Sequence, residues 1–308
     1  MDERRLGFIG TLLLSTFLMG SSFIAGKILL QQGFPPLSLV GWRFVVAAIA
    51  TLPLLALGHE PILRSCAPRG FGWRNYATVV LIGLIQTAAV MGLLFLAMRW
   101  ISAATAAILL FTNPIWVAAL GRLFLGERLS ATRLSGLLFG VIGVVLAIGL
   151  NRASFASSEA LMGDVIGLGS AVCWAIATLI HKRANLPMGA WALSFWQMLI
   201  GAVALLAIAG FAGQQWPPHA TALQWGWFLW LAIPASTGSF GLWFVPLANA
   251  GPANPSAWLF LAPFFAVLLS HIFLDTHLTS VQVVGGMLIA MAIWLESRGR
   301  DRVTAPPP

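Results

Sequence analysis

Long apolar runs separated by short polar stretches fill this chain from end to end. A helix needs about 20 apolar residues to cross hydrocarbon. By that measure the pattern predicts ten spans: Gly7–Leu30, Leu37–Gly58, Tyr76–Met98, Ser102–Leu123, Thr132–Leu150, Leu161–Lys182, Ala190–Ala212, Gly226–Leu247, Asn254–Leu274 and Ser280–Glu296. Connections are short, the longer ones being His59–Asn75, Asn151–Ala160 and Gly213–Trp225. Arg4 and Arg5 precede the first run, which continues to Leu30. That is too long for a secretory signal core, so the run is read as the first span. The tail Arg298–Pro308 ends in three prolines and has nothing to bury, so disorder is expected there.

Within this pattern lies a repeat. Residues Gly92 to Gly136 return without a gap at Gly241 to Gly285, at a fixed offset of 263 − 114 = 149 set by Pro114 and Pro263. Gly92-Leu93-Leu94-Phe95 matches Gly241-Leu242-Trp243-Phe244, and Phe124-Leu125 matches Phe273-Leu274. The expected organisation is therefore a first five-helix unit over 1–150, a second over 151–297 and a tail over 298–308. Five spans is an odd number, so the second unit starts on the opposite side of the membrane. The expected fold is an all-α integral membrane protein of two inverted five-helix repeats, an arrangement that lets secondary transporters rock about a central site.

Composition agrees with a membrane protein. Charged residues make up 8% of the chain and hydrophobic ones 59%, too few charges to keep a soluble protein of this length dispersed. The net charge of +8 does not point to nucleic acid, because the basic residues sit in short loops. With the N-terminus inside, the cytoplasmic segments hold Arg4, Arg5, Arg64, Arg69, Arg74, Arg122, Arg128, Arg133, Lys182, Arg183, Arg298, Arg300 and Arg302. The outer loops hold only Arg99 and Arg152, so both termini are expected in the cytoplasm. Cys66 and Cys173 belong to different layers and have no metal-ligand spacing, so neither a bridge nor a metal site is expected.

Four stretches resemble the EamA-type, ten-helix drug/metabolite transporter superfamily. They are Met19-Gly20-Ser21-Ser22-Phe23-Ile24-Ala25-Gly26-Lys27; Pro36-Leu37-Ser38-Leu39 with Trp42-Arg43-Phe44 and Ala47; Asn113-Pro114 with Leu125-Gly126-Glu127-Arg128-Leu129; and Ala262-Pro263 with Leu274-Asp275-Thr276-His277-Leu278. The last departs from the family pattern, since Asp275-Thr276 stands where Gly-Glu is usual. The likeness covers about Leu6 to Glu296 and implies the fold and a transport function, with the fifth and tenth helices outside the central pathway. A narrower resemblance, to YddG-type aromatic amino acid exporters, rests on general character and tryptophan content.

Chemistry for catalysis is lacking. No His-Glu-x-x-His pair and no phosphate-cradling glycine loop is present, so neither an enzyme nor an ATP-driven motor is expected, and no cofactor. Asp164, Asp275 and Glu296 fall at span ends, Glu127 and Glu159 in loops. Without a mid-membrane acid, movement down a gradient is favoured over acid coupling. Lys27 is read as snorkelling to the outer interface. Arg43 lies deeper, where a guanidinium costs about 2–3 kcal/mol even on lenient scales. It is read as a structural clamp on freed carbonyls, or else as a hold on a substrate carboxylate.

Neutral polar residues inside spans are the candidates for lining a solute site: Ser21, Ser22, Gln86, Asn113, Thr178, Ser236 and Ser239. Each has helix–helix contact as its plainer role. Gln86 stands out because an amide has no favourable place in lipid. Trp174 and Trp258 are the tryptophans expected to wall a cavity, and Pro114 and Pro263 the matched hinges. The expected partners are a lipid bilayer and a small-molecule substrate. The expected function is export of small amphipathic metabolites, amino acids including aromatic ones first among them, across a bacterial inner membrane. Cationic drugs are the second transport reading, and a membrane scaffold or lipid enzyme the reading from another class.

Overall fold

The computed structural model describes residues 3–56, 62–68, 70–126, 131–148, 158–240, 242, 261–276 and 279–304. Among them there is helix and no strand. Six segments are long and apolar enough to cross a membrane: Ile9–Gln31, Pro36–Ala56, Trp73–Ala97, Ala103–Phe124, Ser158–Ala184 and Ala190–Phe211.

The first helix, α1 (Glu3–Gln31), ends in a turn whose Gly33 has φ 90°. Gly33 N–H donates to Leu30 O and Phe34 N–H to Leu29 O, which closes the helix with two of its last carbonyls satisfied. Pro36 then opens α2 (Pro36–Ala56), at a position that needs no N–H. After the short α3 (Ile62–Cys66), the third crossing is built from α4 (Trp73–Ile82), a π-helical segment πA (Gly83–Ala89) and α5 (Val90–Ala97).

The fourth expected span, Ser102–Leu123, is not continuous. It divides into α6 (Ala103–Leu110) and α7 (Asn113–Leu125) around Phe111 and Thr112. Proline lacks an N–H and crowds the preceding turn, so the helix restarts with Pro114 in its first turn, where neither defect matters. Pro114 is thus the start of a half-helix rather than a kink inside a whole one.

There follow α8 (Ala131–Ile148), α9 (Ser158–Ala184) and α10 (Ala190–Phe211). Next come α11 (Ala222–Ala232), a second π-helical segment πB (Ile233–Gly238), α12 (Leu261–Leu274) and α13 (Ser280–Thr304). The last helix continues past Arg298 to Thr304. Once nucleated, a helix gains one hydrogen bond per added residue, and Glu and Arg propagate it well.

πB lies at the offset of the sequence repeat from πA: 83 + 149 = 232 and 89 + 149 = 238, against an observed Ile233–Gly238. Pro234 gives a reason for the widened turn in πB, whereas πA contains no proline.

Packing is reciprocal between the halves. α1 packs on α11, πB and α12, while α9 packs on α5, πA and α7. α2 packs on πB and α10 on πA. α2 pairs with α10, α6 with α12, and α8 with α13. The α8–α13 pair is close because Gly143 and Gly285 have no side chain to separate them: a Cβ on Gly143 would stand 2.9 Å from Gly285 O. Large side chains such as Phe211, Leu123 and Phe264 face outward, as lipid-facing surfaces require.

Candidate functional site

The densest polar cluster surrounds πB. A π turn leaves carbonyls out of the usual ladder, and such turns recur at functional positions. Inside a membrane those carbonyls need donors. Hydroxyls supply them here. Ser236 Oγ donates to Leu231 O at 2.8 Å, and Thr237 Oγ1 donates to Ala47 O of α2 at 2.8 Å. Ser239 Oγ donates to Ala235 O (3.0 Å) and Ser236 O (2.9 Å). Ser15 Oγ of α1 donates to Ser239 O at 2.8 Å.

Into this cluster α2 sends Arg43, only 4% exposed. Its Nε donates to Ser236 Oγ at 2.8 Å, a contact across 193 residues of sequence. The guanidinium carbon lies 4.9 Å from the Phe44 ring centroid and 5.6 Å from that of Phe95, a cation–π bed. Arg43 does join two helices, but through a hydroxyl on a π turn rather than through helix-end carbonyls. Ser21, expected to line the pathway, donates to Leu18 O (2.8 Å) and accepts from Trp230 Nε1 (3.0 Å). Trp230 therefore turns its indole N–H into the bundle. Ser22 donates to Met19 O in its own helix at 2.7 Å.

A second cluster forms where the fourth crossing breaks. Phe111 lies between Phe23 of α1 (6.4 Å) and Trp174 of α9 (5.8 Å, edge to face). Asn113 begins α7 beside it, 6% exposed, its amide without a hydrogen-bond partner among the described residues. Thr178 Oγ1 donates to Trp174 O at 2.8 Å, and Thr112 Oγ1 accepts from Trp116 Nε1 at 3.1 Å. Phe111, two residues before Asn113 in the chain, thus meets Trp174 in an aromatic row that the sequence did not single out, while Thr178 bonds within its own helix.

Gln86 sits in πA, half-buried, and its amide too has no partner among the described residues. Its neighbour Thr87 is buried against α10, where a Cβ on Gly201 would stand 2.4 Å from Thr87 Cβ. Trp258 lies outside the described residues. Pro263 lines an almost wholly apolar groove with Phe111, Phe264, Val267, Gln282 and Met287.

Two further charged side chains are drawn into the protein. Lys27, read as reaching the outer interface, donates from Nζ to Met98 O (2.5 Å) and Ile101 O (2.9 Å) in the turn that closes α5. Asp164 is near the start of α9, as its position in the chain implied, yet it is only 3% exposed and its Oδ1 has no partner among the described residues. Sequence position alone could not show this, because burial depends on Gly163 letting α9 approach Trp100 and Ile101. No group of three or more His, Cys, Asp or Glu among the described residues is arranged to hold a metal.

Comparison with known proteins fits this geometry. The profile of the EamA-like transporter family matches the chain twice, over residues 7–149 and 161–298. An uncharacterized transporter of Archaeoglobus fulgidus is 26% identical over 284 residues, covering 92% of this chain and 95% of its own. The uncharacterized transporter YoaV of Bacillus subtilis is 23% identical, covering 92% and 94%. A solved crystal structure superposes with a TM-score of 0.65 at 17% identity, covering 96% of this chain and 98% of that one, and so shares the fold. The chain belongs to the EamA-like transporter family.

Proposed function

We propose that this member of the EamA-like transporter family exports small amphipathic metabolites, amino acids including aromatic ones first among them, by alternating access. In this reading ten spans form two inverted five-helix repeats, in a bacterial inner membrane with both termini cytoplasmic. The observation that carries it is the pair of π-helical segments at the repeat offset, each packed by the opposite half and each bearing polar side chains inside the bundle. Reciprocal packing of this kind gives two equivalent end states of similar free energy, which rocking requires.

Gln86 and Asn113 orient the polar groups of the solute, since both amides are half-buried or buried and unpartnered among the described residues. Trp174, with Phe111 and Phe23, and Trp258 supply the apolar wall. Pro114 and Pro263 mark the hinges. Radiolabelled amino-acid flux in proteoliposomes tests the reading. Gln86→Ala, Trp174→Ala and Trp258→Ala are expected to change rate or selectivity, and unchanged flux in all of them removes the pocket.

One observation favours the alternative solute class. Asp164 offers an unpartnered carboxylate oxygen inside the bundle, and a cationic drug prefers such a group. Flux of a quaternary ammonium probe in the same vesicles separates the two readings.

A further inference from the structure

Arg43 combines features that a purely structural clamp does not need. It is 4% exposed, in the second turn of a membrane-crossing helix. A guanidinium has five N–H donors. Among the described residues only one, on Nε, finds an acceptor, Ser236 Oγ. No carboxylate among them lies within ion-pair distance. The two ring faces at 4.9 and 5.6 Å attract the charge but accept no hydrogen bonds in the plane of the guanidinium.

The orientation of the group is also held. Ser236 uses its own proton on Leu231 O, so its oxygen can only accept from Arg43. This directed chain, Arg43 to Ser236 to Leu231, fixes the plane of the guanidinium from one side. It leaves the two terminal nitrogens as a preset fork. A fork of parallel N–H bonds matches a carboxylate in two-point geometry, and water exclusion strengthens the pairing.

We infer that Arg43 is the anion anchor of the transport pathway, receiving the carboxylate of the solute on its free fork while Phe44 and Phe95 bed the guanidinium. The inference rests on the transport reading above and narrows it to solutes that bear a carboxylate. The charge is held ready by Ser236 on a π turn, so rearrangement of that turn loosens the fork and releases the anion. Binding and the motion of πB are then coupled through one hydrogen bond.

Purified protein in proteoliposomes tests this with a matched pair of competitors. Labelled L-phenylalanine flux is measured against unlabelled L-phenylalanine and L-phenylalaninamide, which lacks the carboxylate. In the native chain the acid is expected to compete at least about tenfold better than the amide, the weight of a charge-assisted pair. Arg43→Gln removes that preference. Arg43→Lys keeps the charge without the fork and loses most of it.

If the native chain carries phenylalanine but treats acid and amide alike, the anchor is overturned and the transport reading stands. If it carries no amino acid, the transport reading fails, and thermal stabilisation of the detergent-solubilised protein by 3-phenylpropionate decides the anchor. Stabilisation lost in Arg43→Lys supports it, and none in the native chain overturns it.

Discussion

Gly126 and Asp275, 275 − 126 = 149 residues apart, share one left-handed backbone conformation, with φ 64° and 48°. Each directly follows a helix of the repeat, α7 or α12. The departure of Asp275 from the family's Gly-Glu pattern is thus a change of side chain at a preserved backbone turn. Aspartate is among the few residues other than glycine that occupy this region readily.

A Cβ at Gly126 would meet nothing within 4 Å, so only the backbone opposes a side chain there. Gly126→Ala should lower stability by about 1 kcal/mol, and Gly126→Asp, copying the other half, by less. Melting temperatures in detergent check the order. An equal loss in both variants would mean that the turn does not set the cost.

Ser236 satisfies both Arg43 and Leu231 O. Ser236→Ala removes the acceptor of Arg43 Nε and the donor to Leu231 O, and stranding a buried polar group costs about 1–3 kcal/mol. Ser236→Thr retains the hydroxyl and should retain most of the stability. Thermal unfolding of the two variants distinguishes loss of the hydroxyl from mere crowding.

Lys27 ties α1 to the end of α5 through Met98 O and Ile101 O. Lys27→Met keeps the length of the side chain and removes the donor. It should destabilise by about 1.5–3 kcal/mol, the range for hydrogen bonds from a charged group. Faster amide exchange confined to the 98–102 turn is the signature to measure. A lysine whose charge met only water would produce no change there.

Gly201 lets α10 lie directly on πA. A Cβ there would stand 2.4 Å from Thr87 Cβ and 3.1 Å from Ala88 N. Gly201→Ala should cost about 1–3 kcal/mol through overpacking. Thr87→Ser, which trims the methyl but keeps Cβ, should not restore it, and paired melting curves of the single and double variants check this. Full rescue by serine would show that the methyl alone makes the contact.

Much of the helix pattern was legible because lipid enforces one rule: every backbone polar group must be satisfied within its own segment. Helix ends at Gln31, Ala56, Ala97 and Phe211 fall within a few residues of expectation. The break between Leu110 and Asn113 was signalled by Pro114, although as a kink rather than a restart. For the site, Phe111 close to Asn113 in the chain meets Trp174, and Ser236 and Ser239 share the polar cluster around πB. The widened turn πA carries no proline, so nothing in its residues announced it.

Hydrophobic run length, a fixed offset of 149 and the Lys/Arg distribution are properties of the chain read in order, and they determined the helical class, the expected repeat and the expected orientation, while four short motifs carried the family resemblance. Partners are different. That Arg43 meets Ser236 across 193 residues, that Lys27 closes α5, and that Asp164 is buried all depend on which helix faces lie together. An apolar helix reads nearly the same on every side, and it carries little information about which face a neighbour will cover. Only the packed bundle, where glycines decide how closely helices approach, turns a polar residue in a span into a contact or leaves it open.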